Sequence, residues 1–169
     1  MAPNEIFAKM TQESASQILS FLFEKEKALY KATVEALAKQ RNLRPVFIER
    51  KPRTERFEWM KAALGRAASG AIAAHLLQVW LIGAHSKLLC DFLDGLGIEH
   101  DENGTVETLP PAPEKEKLVP VVDQLLQNYP AETVAIYFHA FQALDDEGGW
   151  NTLGELLESD PRLRLGAAA

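Results

Sequence analysis

One stretch limits this chain more than any other: Ala67 to Gly97, AASGAIAAHLLQVWLIGAHSKLLCDFLDGLG, the longest apolar run in the sequence. At 100° per residue Leu77, Leu81, Leu88 and Phe92 form one stripe, while Ile72, Leu76, Val79, Trp80 and Cys90 fall on other faces. A helix that is apolar all round is a buried helix, so the run predicts the central rod of a bundle. The expected fold is all-α: a single-domain bundle of five to six helices around a buried helix at about 67–96. A chain of 169 residues is long enough to fold as one such domain without disulfide or metal support.

From Thr11 to about Arg41, Ile18, Leu22, Leu29 and Leu37 recur at helical spacing with no Pro or Gly between them. This predicts one amphipathic helix about 45 Å long, as long as a domain of this size is wide, so that it spans the domain, is kinked or protrudes, and a protruding end would suit a dimer. Residues 1–10 carry no sustained period and read as a flexible lead; 11–165 form the domain, and 166–169 a flexible tail. The connector after Asn42, LRPVFIERKP, breaks the period at Pro45 and Pro52, with Val46, Phe47 and Ile48 expected to pin it to the core. Thr54–Leu64 resumes helical spacing, with Phe57, Met60 and Leu64 inward.

Gly95 and Gly97 are expected to end the central helix. Between Ile98 and Leu109, Asn103-Gly104 signals one small β-hairpin or an ordered loop. A helix through Leu118–Leu126 follows, then one with a stripe of Val134, Tyr137, Phe138, Phe141 and Leu144, ended by Asp145–Gly149. Thr152 and Glu155 have the spacing of a capping box for a last short helix.

The net charge of −6 conceals an asymmetry: Met1–Lys87 holds 14 basic and 8 acidic residues, and Leu88–Ala169 holds 4 and 16. The basic excess concentrates between Lys39 and Lys61, where Arg41, Arg44, Arg50, Lys51, Arg53 and Arg56 interleave with Phe47, Phe57 and Trp59. Such a set could contact phosphates, but the acidic chain, with a pI of about 5.3, has no helix-turn-helix or zinc finger. A protein partner or self-association is therefore expected rather than nucleic acid, with Arg50, Lys51, Arg53 and Arg56 as candidate anion or partner contacts.

Candidate metal ligands are His75 and His85 in the central helix, with Asp91, Asp94 or Glu99 as additional carboxylates. Ten residues separate the two histidines, about 15 Å along a helix axis, so they cannot share one ion. No Glu-x-x-His or His-Glu-x-x-His pair accompanies them, and packing is the expected role of both. His139 lies on a face with Glu132 and Asp146 that is expected to be exposed. Residues 99–107, EHDENGTVE, resemble an EF-hand calcium loop at Glu99, Asp101, Asn103 and Gly104. They depart from it where Glu99 replaces the usual Asp and Pro110 stands at the closing ligand, so a turn accounts for them better.

The uncharged run Ala67–Ser86 is long enough to span a bilayer, but His75, Gln78, His85 and its many Ala and Gly residues favour a soluble core helix, without membrane contact. The amino terminus has no secretory pattern, and the one cysteine, Cys90, has no partner; both fit a cytoplasmic setting. No nucleophile elbow, P-loop or dinucleotide-binding motif is present. The expected function is that of a soluble interaction or regulatory module, possible as a homodimer, acting through the long first helix or the connector, without a cofactor. The alternative is a bundle enzyme or small-ligand binder holding one transition metal on His75 or His85.

Overall fold

The computed structural model describes residues 1–143 and 149–166. Among them the protein is all-α: ten α-helices, two short 3-10 turns and no strand. Two compact units are built from residues 2–80 and 81–169.

In the first unit the amino terminus is not a loose lead. Residues Pro3–Lys9 form α1, because Pro3 suits a first helical position and Glu5 reaches back to accept the Ala2 amide at 2.7 Å. Ile6 and Phe7 are fully buried, and α1 packs on α5 (Arg53–Leu64). Thr11 caps α2 (Gln12–Lys25) as expected, its hydroxyl accepting the Ser14 amide at 3.1 Å.

Of the three forms open to the 11–41 helix the chain takes the broken one: α2 and α3 (Lys27–Gln40) are in contact, with the break at Glu26 (φ −125°, ψ 55°). No Gly or Pro marks the break. Residues Glu24 to Ala28 are all exposed, so this segment offers nothing to bury. The break lets Ile18, Leu19 and Leu22 share one core with Val34 and Leu37, since both helices pack on α5, and sets Phe23 edge-on to Tyr30 at 5.2 Å. The stripe proposed as a protruding dimer face is thus covered from within its own unit.

The run 67–96 is likewise divided: a 3-10 turn at Ala67–Ser69, α6 (Gly70–Ala84) and α7 (Ser86–Leu96), with the break at His85 (φ −129°, ψ 26°). Ala67–Ala84 is long and apolar enough to cross a membrane by length and composition, with a mean hydropathy of 1.5, and a third of it is buried, less than expected of a central rod. Ala73, Leu76, Leu77, Trp80 and Leu81 are inward, while Ala71, His75 and Gln78 are exposed. Small or polar side chains make that exposure inexpensive.

In the second unit the all-round buried helix is α9 (Ala131–Ala143), in which every residue from Thr133 to Ala140 is buried. Phe92 of α7 is its anchor, ringed by Tyr137 at 5.6 Å, Phe138 at 4.9 Å, Phe141 at 6.1 Å and Trp150 at 6.1 Å. Gly97 (φ +70°) closes α7 as predicted, with the Ile98 amide returning to the Leu93 carbonyl. Gly95 has a different role from the one expected: it lies inside α7, where a Cβ would sit 2.8 Å from Val121 of α8 (Lys115–Asn128).

The 98–109 segment forms an ordered loop, not a hairpin. Asp101 accepts the Asn103 and Thr105 amides on one carboxylate oxygen at 2.9 and 2.8 Å, which turns the chain locally without a paired strand. Thr152 does not cap α10 (Asn151–Ser159); its hydroxyl donates to the Pro113 carbonyl, while the Trp150 indole donates to that of Pro110, and together they hold the proline-rich segment down. Leu144 and Asp145–Gly148, where a helix end was expected, lie outside the described residues.

Candidate interaction surface

The connector is built from an asparagine. Asn42 takes the left-handed conformation (φ +53°), and the Leu43 amide returns to the Ala38 carbonyl at 2.9 Å, closing α3 in the way a glycine usually does. Pro45 then opens one further turn of helix, α4 (Pro45–Glu49), where an extended connector was expected. In a turn of helix Ile48 points almost opposite to Val46 and Arg50, and about a quarter-turn from Phe47. Ile48 is the one buried residue of the three expected to pin the connector.

Val46 and Phe47, predicted inward, are 37% and 57% exposed, and Leu43 is 40% exposed. Three of the five exposed large apolar side chains among the described residues thus lie within five residues of each other. Among the described residues neither a ring nor a guanidinium stacks on Phe47, whereas the exposed Phe23 is covered by Arg53 and Arg56 at 5.1 and 5.7 Å.

The four cationic candidates separate into two pairs. Arg53 donates to the Ser20 hydroxyl at 2.9 Å, pairs with Glu24 at 3.4 Å and lies over Phe23 and Phe57; Arg56 donates to the Glu49 carbonyl at 3.2 Å. Both are structural ties of α5. Beside them the Tyr30 hydroxyl and Arg56 Nε are buried without a hydrogen bond, and burial raises the Tyr30 pKa against the opposing pull of the Arg56 and Arg53 charges. Arg50 and Lys51, with Arg41 and Arg44, make no ion pair among the described residues, and only Lys51 is part-covered. These four, not Arg53 and Arg56, are the cations that border Leu43, Val46 and Phe47 in sequence.

The metal candidates do not converge. His75 is exposed on α6, and His85 is half-buried at the helix break, where desolvation lowers its pKa. Asp91 is engaged by Lys87 at 2.8 Å and by the Tyr129 hydroxyl, which together hold its carboxyl below the usual range. Asp94 pairs with His100 at 2.8 Å, and Glu99 is exposed. Among the described residues no three His, Cys, Asp or Glu side chains are grouped to hold a metal ion. The Cys90 thiol is half-buried, faces the Glu102 carbonyl at 3.6 Å and is pushed up in pKa by burial and then by Asp94, Asp91 and Asp101. An acidic setting of this kind suppresses the thiolate.

His139 corrects its expectation. It is 8% exposed, and its Nε2 lies 3.1 Å from the Leu163 carbonyl; that acceptor requires the proton on Nε2. Glu132 is part-covered, and Asp146 lies outside the described residues. His139 thus anchors the chain's last turn instead of lining a solvent-facing site.

The fold defines an all-α protein of two helical units, and the site defines a basic turn with an apolar tip. Comparison with protein-family models, curated proteins and solved structures yields no match for this chain.

Proposed function

We propose that this chain is a helical interaction module that contacts an anionic partner through the turn at residues 41–51. The exposure of Phe47 carries the reading: an aromatic side chain left 57% open beside Val46 and Leu43 gains by being covered. Arg41, Arg44, Arg50 and Lys51 supply the charge that would select the partner and speed its approach. Nothing comparable supports the metal-dependent alternative, and the covered stripe of α2 and α3 moves the contact from the first helix to the connector.

The reading is tested on the full chain by retention on an immobilised polyanion and by sedimentation equilibrium, each at low and high salt. Phe47→Ser and Arg50→Gln are compared with wild type. Salt-sensitive retention, or a salt-sensitive dimer, that both substitutions weaken while the helical CD signal persists would support a contact surface here. A monomer that ignores the polyanion, or binding indifferent to both changes, would refute it.

A further inference from the structure

Resting on that reading, we infer that the anionic partner of the 41–51 turn is the surface of a phospholipid bilayer carrying negatively charged headgroups, with Phe47 as the inserted side chain. Three observations favour this partner. The apolar tip is small: an aromatic side chain buries roughly 150–250 Å² when fully covered, and Phe47 at 57% open with the smaller Leu43 and Val46 at 40% and 37% presents on the order of 200 Å², against about 800 Å² per partner in a standard protein interface. An apolar area of that size is too little to hold a stable dimer, but it is what a side chain entering the headgroup boundary needs.

The second observation is the shape of the tip. Ile48 holds α4 to the unit, and the chain leaves it through a turn at Asn42 on one side and a bend at Lys51 on the other, so Val46 and Phe47 stand at the outside of a turn. A bilayer accepts an outward tip directly, whereas a protein partner would need a matching groove. The third is charge. Between Arg41 and Arg53 there are five cations and one acid, Glu49, and four of those cations are unpaired among the described residues. Peripheral binding generally needs two weak signals together, apolar insertion and a basic patch, and this turn has both within eleven residues.

The experiment is co-flotation of the full chain with vesicles of phosphatidylcholine alone and of phosphatidylcholine mixed with phosphatidylserine, at low and high salt. Binding is expected only to the mixed vesicles and to weaken with salt. Arg44→Gln with Arg50→Gln should reduce it about 25-fold, from roughly five-fold per cation near an anionic surface. Phe47→Ser should reduce it about ten-fold through the lost apolar area. These positions are exposed, so the variants keep their helical CD signal; as a direct readout, Phe47→Trp should shift to the blue on mixed vesicles and be quenched by brominated acyl chains.

Two outcomes overturn the inference separately from the reading beneath it. A wild-type chain that ignores mixed vesicles yet shows the salt-sensitive polyanion retention or dimer described above has a contact surface for something other than lipid. Vesicle binding that survives Phe47→Ser and is lost on Ala71→Glu, on the exposed side of α6, belongs to the apolar run and not to this turn.

Discussion

Gly104 tests how the 98–105 loop is seated. It has a left-handed backbone (φ +75°), and a Cβ built on it would overlap Leu89 Cβ and lie 3.1 Å from the Cys90 amide nitrogen. Gly97 has nearly the same backbone (φ +70°) but open space within 4 Å of its Cβ position. The two Gly→Ala substitutions therefore share one cost and differ in the other. The shared part is the left-handed penalty, about 1–2 kcal/mol, reduced by about 0.4–1 kcal/mol because alanine restricts the unfolded chain. Gly97→Ala should cost about 1 kcal/mol net. Gly104→Ala adds overpacking against atoms attached directly to the α7 backbone, which no rotamer change relieves, typically 1–3 kcal/mol. It should lose about 2–4 kcal/mol in all, or roughly 5–15 °C in Tm for a chain of this size, against 2–4 °C for Gly97→Ala. Urea and thermal unfolding followed by far-UV CD would measure both. If the two variants agree within about 0.5 kcal/mol, Gly104 does not rest on α7 and the packing argument fails.

Two further outcomes follow from buried or shared protons. His100 sets Nδ1 2.6 Å from the Asp101 carbonyl and Nε2 2.8 Å from an Asp94 carboxylate oxygen, so both ring nitrogens face acceptors and the imidazolium satisfies both. The Asp101 carbonyl first, and then Asp94, raise its pKa above the usual value near 6.5. The stabilisation is therefore complete below about pH 6.5 and is lost as pH rises through the raised value; amide exchange in 98–105, corrected for intrinsic rate, should increase over that window. A His100 that titrates at or below the ordinary value by NMR would sink the idea. His139→Leu removes the donor to the Leu163 carbonyl and should cost about 1–3 kcal/mol, with faster tryptic cleavage at Arg162 and Arg164; an unchanged cleavage rate would show that the bond does not hold the final turn.

Much of the fold is legible in the order of apolar residues. The spacing of Phe57, Met60 and Leu64 gives α5, the Gly97 signal gives the end of α7, and Thr11 gives the start of α2, because each is a local rule in which a side chain meets its own backbone or its own helix face. The site is less so. A run such as Val46, Phe47, Ile48 reads as three buried residues; only the single turn after Asn42, which turns Ile48 inward, separates one from the others. The cations are visible in the sequence, but which are committed to Ser20, Glu24 and Phe23 depends on α2 and α5 lying side by side.

By itself, then, the sequence determined that this chain is helical, where α2 begins and α7 ends, and that its positive charge gathers between Lys39 and Lys61. Tertiary packing decided what the local pattern leaves degenerate: that the uninterrupted periods of 11–41 and 67–96 each break once, at Glu26 and His85, and that α9 is the helix enclosed on every side in its unit. The reason is that helical periodicity is satisfied equally by a straight rod and by a broken one, and in residues 11–41 the break lets the apolar residues of α2 and α3 join α5 in one core. The same packing buried His139 and left Phe47 open, since neither side chain carries a local signal for which side of its helix will be covered.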